Sequence, residues 1–327
     1  VRDNTPATAV FAHWWDYGYW VQSIGDRATV TDGGNLVVYW NYLTGRYVLT
    51  GDNQKDALEF LWTHNATNLL IDSSDIGKYG AFSQIGSDIN YDRLSYGPIT
   101  MLSDVKQSQE TANGTIRIYQ GNAVVEEDLN YKDNESNIFI PGFNIGTSGV
   151  TGYNAAVIGI ILETKNENNT ISEFKQPEAV YYYQGKQIKL PLRYLYYKGQ
   201  MMDYGLGIEG AVSVIPRVSQ TASGVQVDNS GALIFVSPRI LRGLLGQLYI
   251  FDDPFNKFSA FKIAHIENSP ITNSLVSQGA KLEEFTYFDS YGLQGPIKIW
   301  KINYLGNEKV NPDYLRLTQP SSITWQF

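Results

Sequence analysis

The chain has 327 residues, 43% of them hydrophobic and 13% aromatic, enough to bury a sizeable core in one to three domains. A formal charge of −8 sets it against nucleic acid and anionic lipid as direct partners. The absence of cysteine removes disulfides, Cys-based zinc sites and thiol catalysis, and the scattered His13, His64 and His265 lack the spacing of a His-based metal site.

The first hundred residues read as α/β. Ala9–Ala12 is a short strand that runs into Trp14-Trp15-Asp16-Tyr17-Gly18. A helix over Tyr17–Ile24 follows, with Asp16 as its N-cap and Gly25 as its stop. Ala28–Thr31 is a second strand, ending at Asp32-Gly33-Gly34-Asn35. Asn53–His64 is a helix capped by Asp52 or Asn53, with Ala57, Leu58, Leu61 and Trp62 as its apolar stripe. Asn68–Ile71 is a third strand. It feeds the N-cap cluster Ser73-Ser74-Asp75 and a helix that reaches Ile85.

After residue 100 the texture changes. Thr115–Gln120, Ala179–Tyr183 and Val212–Pro216 are β-branched or tyrosine-rich, between Gly, Asn and Asp turns and polar loops such as Glu163–Thr170. Pro238–Asp252 reads as helical, with Leu241, Leu244, Leu245 and Leu248 on one side. Phe258–His265 and Pro296–Tyr304 alternate with period two and read as closing strands. The expected fold is an α/β (α+β) core domain with a large β-rich insertion and a C-terminal β-rich closing segment. Its parts are residues 1–104, 105–235 and 236–327. The longest apolar run, Ala155–Leu162, is too short to span a bilayer. No secretory signal opens the chain, which reads as starting within a longer protein.

Two features follow the C-terminal ends of predicted strands, the edge where open α/β sheets bind ligands. In the first, two indole N–H donors of Trp14 and Trp15 and the Asp16 carboxylate are a full hydrogen-bonding complement to a Ser or Thr hydroxyl. Such a site rejects ligands that lack the hydroxyl, because its polar groups are then left unpaired. The plainer reading is aromatic packing beside a helix cap. In the second, Asp75, Lys78 and Phe82 stand at i, i+3 and i+7, on one helix face. Their plainer reading is a cap, a local ion pair and a core side chain. Gly77 and Gly80 weigh against a purely structural helix and are expected to permit a close backbone approach. If the two strands are parallel neighbours, Trp14, Trp15, Lys78 and Phe82 share a face, with side chains within roughly 15 Å.

WWDYG at Trp14–Gly18 is similar to the signature of the oligosaccharyltransferase catalytic subunits, known in archaea as AglB. The similarity runs on through Gly25–Asp32. DIGKYGAF at Asp75–Phe82 resembles the family's DK motif, with Phe82 where Met or Ile is usual. The segments around Leu244–Glu267 and Gly295–Tyr304 resemble the family's return to its core domain. No resemblance covers the insertion.

The resemblance implies an archaeal-type glycosyltransferase at the extracellular face of the cell membrane, preceded by a multispan transmembrane region. That region would hold the catalytic Mn²⁺ or Mg²⁺ and the lipid-linked oligosaccharide, leaving no catalytic residue or metal here. This domain would bind the acceptor polypeptide at its Asn-x-Ser/Thr sequon. Trp14, Trp15 and Asp16 would hold the hydroxyl, supported by Tyr17 and Gly18. Asp75, Lys78 and Phe82 would line the same pocket, where Phe82 would favour Thr over Ser by packing on its methyl group.

The chain has sequons of its own. Asn113, Asn134 and Asn168, in loops, are candidates for N-glycosylation, and Asn65, at a helix end, reads as a chance occurrence. Two rival readings stay open. A non-catalytic extracellular carbohydrate-binding or surface module suits the tyrosine-rich middle. A glycoside hydrolase needs two carboxylates across a cleft, and the sequence singles out no pair.

Overall fold

The computed structural model describes residues 1–320 apart from 105, 112, 113, 135, 136, 147, 148, 168, 169, 223 and 283. The chain divides into two units. The first comprises Val1–Gly97, Arg242–Pro270 and Gly295–Phe327; the second comprises Pro98–Leu241 and Ile271–Gln294. Two breaks fall near the expected 104/105 and 235/236. Residues 271–294 do not stay with the first unit as expected: the strand Tyr287–Asp289 pairs with Ile208–Thr221 of the second.

The first unit is a mixed α/β layer. Its sheet has five strands, in the order Phe261–Glu267, Ile297–Ile302, Asn68–Ile71, Val10–Ala12, Ala28–Thr29. Val10–Ala12 is parallel to both of its neighbours, and Ile297–Ile302 and Phe261–Glu267 add antiparallel. Asn68–Ile71 is buried throughout, as a central strand covered on both faces must be.

The helix Gln54–Thr63 is capped by Asn53, whose side chain accepts the Lys55 N–H at 2.9 Å. Ala57, Leu58, Phe60 and Leu61 form its buried face. Trp62, expected in that stripe, is 41% exposed and rests edge-on against Tyr304, because Phe60 fills the core instead. Ser74–Ile85 is a helix as predicted, but its first turn is capped by Asp72, which accepts the Ser74 N–H at 2.8 Å.

Residues 36–52, for which the sequence offers no element, hold an α-helix, Val38–Leu43, and a π-helical turn, Thr44–Leu49. Gly45 and Gly86 let this turn approach the end of the Ser74–Ile85 helix. A Cβ on Gly45 would stand 2.6 Å from the Phe82 carbonyl oxygen, and one on Gly86 2.6 Å from the Arg46 nitrogen. The helix expected over 238–252 is broken. Pro238–Arg242 is α-helical and Gly246–Ile250 π-helical; between them the Leu244 N–H leaves the helix for the Gly51 carbonyl. Leu241, Leu244, Leu245 and Leu248 are all buried, as their spacing predicts.

The second unit contains a closed barrel. Strands Lys186–Tyr197, Glu178–Tyr183, Ala155–Glu167, Gly114–Val124, Ile99–Ser103, Gly224–Val236 and Ile208–Thr221 follow one another around it. Parallel pairing of Leu192 with Ile208 and of Tyr196 with Ser213 closes the ring. Met101, Tyr119, Ile160, Leu190, Val212 and Leu233 belong to its core. The strands outrun the short segments expected from sequence. The supposed polar loop Glu163–Thr170 extends the strand Ala155–Glu167 and returns as Thr170–Phe174. Its charges form exposed cross-strand pairs, Lys165 with Glu173 and Lys175 with Glu163. Among the described residues no helix is long and apolar enough to cross a membrane.

Gly18 and Gly77 are opposites. Gly18 has ordinary helical φ and ψ, yet a Cβ there would collide with the Asp32 backbone. A Cβ on Gly77 meets nothing within 4 Å, and one on Gly80 only ordinary contacts, so the close approach expected at these two glycines is found at Gly18, Gly45 and Gly86 instead. Gly18→Ala is expected to destabilise the chain by about 1–3 kcal/mol. Gly77→Ala is expected to stabilise it by up to about 1 kcal/mol. Urea denaturation of both variants checks the two signs.

Candidate functional site

The register between the parallel strands builds the site. Phe11 pairs with Asn68 and Ala12 with Leu69, so both strands run out at the same edge of the sheet, the second two residues further on at Ile71. From that edge the first strand passes through His13 into a 3-10 turn, Trp15–Tyr17, and the helix Gly18–Ser23. The second passes through Asp72 and Ser73 into the helix Ser74–Ile85. Asp16 makes no cap hydrogen bond to the helix it precedes. Its carboxylate is turned to the other motif.

Asp16 Oδ2 lies 2.6 Å from Lys78 Nζ, both side chains being about one-third exposed or less. Lys78 Nζ also donates to the Tyr17 hydroxyl at 2.8 Å. That hydroxyl donates to Asp75 Oδ1 at 3.0 Å and lies 2.7 Å from Ser74 Oγ. Lys78 therefore does not form the i,i+3 pair with Asp75 that spacing suggests; Tyr17 stands between them. A cavity of about 660 Å³ opens beside this cluster. Asp16, Tyr17 and Lys78 contribute its polar side, and Trp20, Leu70 and Ile297 its apolar side.

The other expected residues lie deeper. Trp14 is 3% exposed and Phe82 0%, and their rings meet edge-on at 5.5 Å. Phe82 also packs on Tyr79. Phe82 therefore offers no surface to a threonine methyl group; it is the floor under Trp14. Trp15 is half-buried, 6.2 Å from the Trp14 ring. Trp20, exposed on the next helical turn, was missed as an apolar wall, although its place one turn beyond Asp16 was a usable signal.

Charge is handled unevenly across the cluster. One Asp16 oxygen, Oδ1, is screened from solvent and has no hydrogen-bond partner. Asp75 is fully buried, with Oδ2 accepting the Asp72 N–H at 3.0 Å. Burial pushes its carboxyl up to about 7, against the lowering effect of that N–H and of Lys78. Burial also raises the Tyr17 hydroxyl far above its ordinary range, and the Asp75 charge adds to this, so Tyr17 stays protonated and donates. His13 is fully buried and held neutral by desolvation.

Of the candidate glycosylation sites, Asn113 and Asn168 lie outside the described residues. Asn134 is exposed. Asn65 is exposed at positive φ just past a helix end. The hydroxyl of its sequon is engaged: Thr67 Oγ1 accepts the Val10 N–H at 3.0 Å and donates to Asn68 Oδ1 at 2.8 Å.

A raised carboxyl pKa has a definite sign in stability. An unfolded Asp titrates near about 3.9. Folded Asp75 keeps its proton to about 7, so in between the folded state binds the extra proton and stability falls as pH rises. Asp75→Asn removes this dependence. The wild type is expected to lose stability relative to that variant from about pH 4 to 7, by up to about 1.4 kcal/mol per pH unit. Urea melts of both proteins across the range measure it, and parallel curves would refute it.

No protein-family profile matches the chain. It is 32% identical over 110 residues to dolichyl-phosphooligosaccharide-protein glycotransferase 1 of Pyrococcus furiosus and 31% identical over 110 residues to the protein of the same name from Pyrococcus horikoshii. Each match takes in 31% of this chain and 11% of the relative, so the chain spans a small part of those proteins' length. Among solved structures, the C-terminal domain of C. jejuni pglb aligns with 93% of this chain and 97% of its own, at a TM-score of 0.41 and 9% identity. Over the matched region, the chain is homologous to these two Pyrococcus glycotransferases.

Proposed function

We propose that this chain is the acceptor-recognition part of an oligosaccharyltransferase. That enzyme moves an oligosaccharide from a lipid carrier to asparagine in Asn-x-Ser/Thr sequons at the extracellular face of a membrane. The observation that carries the reading is the Asp16–Lys78 contact at the mouth of the cavity, with Asp16 Oδ1 unused. A carboxylate held by one oxygen and unpaired at the other is a ready acceptor for a donor that arrives later. A Ser or Thr hydroxyl brought to Oδ1 satisfies it while Lys78 still holds Oδ2. Homology to named glycotransferases supports the same role.

Lys78 works as an anchor. It holds Asp16 Oδ2 at 2.6 Å and is itself fixed by the Tyr17 hydroxyl, which Asp75 and Ser74 orient. Trp14, packed on Phe82, gives the turn a rigid base. The apolar side of the cavity, Trp20, Leu70 and Ile297, suits the rest of the peptide or the threonine methyl group. Among the described residues no cluster of three or more His, Asp or Glu side chains is placed to hold a metal ion. On this reading Mn²⁺ or Mg²⁺ and the lipid-linked oligosaccharide are bound elsewhere in the enzyme, and this chain supplies position only.

Two outcomes are expected. The isolated chain, given lipid-linked donor, sequon peptide and Mn²⁺ or Mg²⁺, transfers no glycan; turnover by a pure sample sinks the reading. In the enzyme that carries this chain, Asp16→Asn lowers transfer about tenfold or more, because a weaker acceptor meets the hydroxyl. Its thermal midpoint moves little, since the Asp16–Lys78 pair is partly exposed and worth about 1 kcal/mol or less. Equal activity would return Asp16 to a purely structural part.

A further inference from the structure

His13 is a buried polar side chain that the reading above does not use. It is 0% exposed and sits between the end of the Val10–Ala12 strand and the turn that carries Asp16. Its Nδ1 lies 2.7 Å from the Trp14 carbonyl oxygen. An oxygen there accepts only, so Nδ1 carries the proton and Nε2 is left with a lone pair. Nε2 is buried and has no partner. A side chain present for packing alone would bring no such unpaired nitrogen into the core. The ring stands edge-on to Tyr17 at 6.1 Å.

The bond from Nδ1 falls on a sensitive atom. The Trp14 carbonyl also accepts the Tyr17 N–H at 3.3 Å, the bond that closes the Trp15–Tyr17 turn. On the other side, Thr31 Oγ1 donates to the His13 carbonyl at 3.1 Å, and the Val30 N–H donates to that of Phe11 at 2.9 Å. His13 thus joins the anchored strand end to the peptide plane from which the turn departs. Tilting that plane swings Asp16, two residues on, away from Lys78. Burial keeps the ring neutral, against the weaker pull of the Asp16 and Asp32 carboxylates that face it.

We propose that His13 is a positioning residue for sequon recognition: its Nδ1–H fixes the Trp14 carbonyl and so aims Asp16 at the acceptor hydroxyl. This rests on the reading of the site as a sequon binder. The chemistry separates the two ring nitrogens. An Asn amide nitrogen sits one bond beyond Cγ, as Nδ1 does, whereas the Gln amide reaches the place of Nε2. His13→Asn therefore keeps the donor, and His13→Gln and His13→Leu lose it.

The test is transfer by the enzyme that carries this chain, to Asn-Ala-Thr peptide and to its isostere Asn-Ala-Val, with thermal midpoints recorded in parallel. His13→Asn is expected to stay within about threefold of wild type in kcat/KM for the Thr peptide, although it leaves a smaller side chain in the core. His13→Leu and His13→Gln are expected to fall about tenfold or more, mostly through KM, at midpoints no lower than that of His13→Asn. If His13→Leu does not fold, the Asn and Gln variants carry the comparison. Loss that follows the midpoints, or equal activity in all three, overturns the proposal. The sequon reading fails separately, when the wild type accepts the Val peptide as readily as the Thr peptide. Nitrogen-15 NMR of the wild-type chain gives an independent check. At about pH 8, where an ordinary imidazole is already neutral, His13 should show the Nδ1-protonated tautomer, and an Nε2-protonated ring overturns the proposal.

Discussion

The site depends first on the parallel pairing of Phe11 with Asn68 and Ala12 with Leu69. Both strands are short, and each runs straight into a polar motif. Parallel pairing in this register brings both out at the same edge of the sheet, so the motifs need no long arms to meet. A shift of one residue would turn each strand's side chains to the wrong face and drop Asp16 and Lys78 out of reach. Burial guards the register: Asn68, Leu69, Leu70 and Ile71 are all covered, and the strand Ile297–Ile302 pairs along its other side.

On that frame the polar cluster is ordered by unequal desolvation. Asp75 lies deepest and tends to keep a proton; Asp16, nearer the cavity, faces a cation. Tyr17 joins the two, giving its proton inward to Asp75 and its lone pair outward to Lys78. If all three neighbours were equally exposed, water would compete for each bond and the lysine would swing. Burial of the far end holds the near end still, which a residue that must present one oxygen to a ligand needs.

Much of this is legible in the sequence. The strand Asn68–Ile71 and the end of the helix Ser74–Ile85 follow from apolar runs bounded by Asp, Ser and Gly. The meeting of Asp16 with Lys78 follows from two motifs at two strand ends. What sequence could not give was depth. Phe82 at i+7 of the helix and Trp14 in an aromatic cluster look equally suited to a pocket or to a core, and they are core. Nor did it show which glycine matters. Gly77 is written into a helix and is sterically idle, whereas Gly18 lies against Asp32, a contact set by tertiary structure alone. Residues 36–52 were opaque because tyrosine and valine, common in strands, here fill π and α turns closed by Gly45 and Gly86.

The arrangement also bears on selectivity. A pocket that rewarded only an apolar side chain would separate threonine from valine poorly, since the two have nearly the same shape. On the proposed reading the discriminating atom is an acceptor already withdrawn from water and still unpaired. Its desolvation has been met in folding, before a peptide arrives. A hydroxyl gains a bond without having to strip water from the carboxylate, while a methyl group leaves the oxygen as it was or worse. Selectivity of this kind depends on the carboxylate being held in one place. On that reading the arrangement of Lys78, Tyr17 and Asp75 behind it is as much a part of hydroxyl recognition as Asp16 itself.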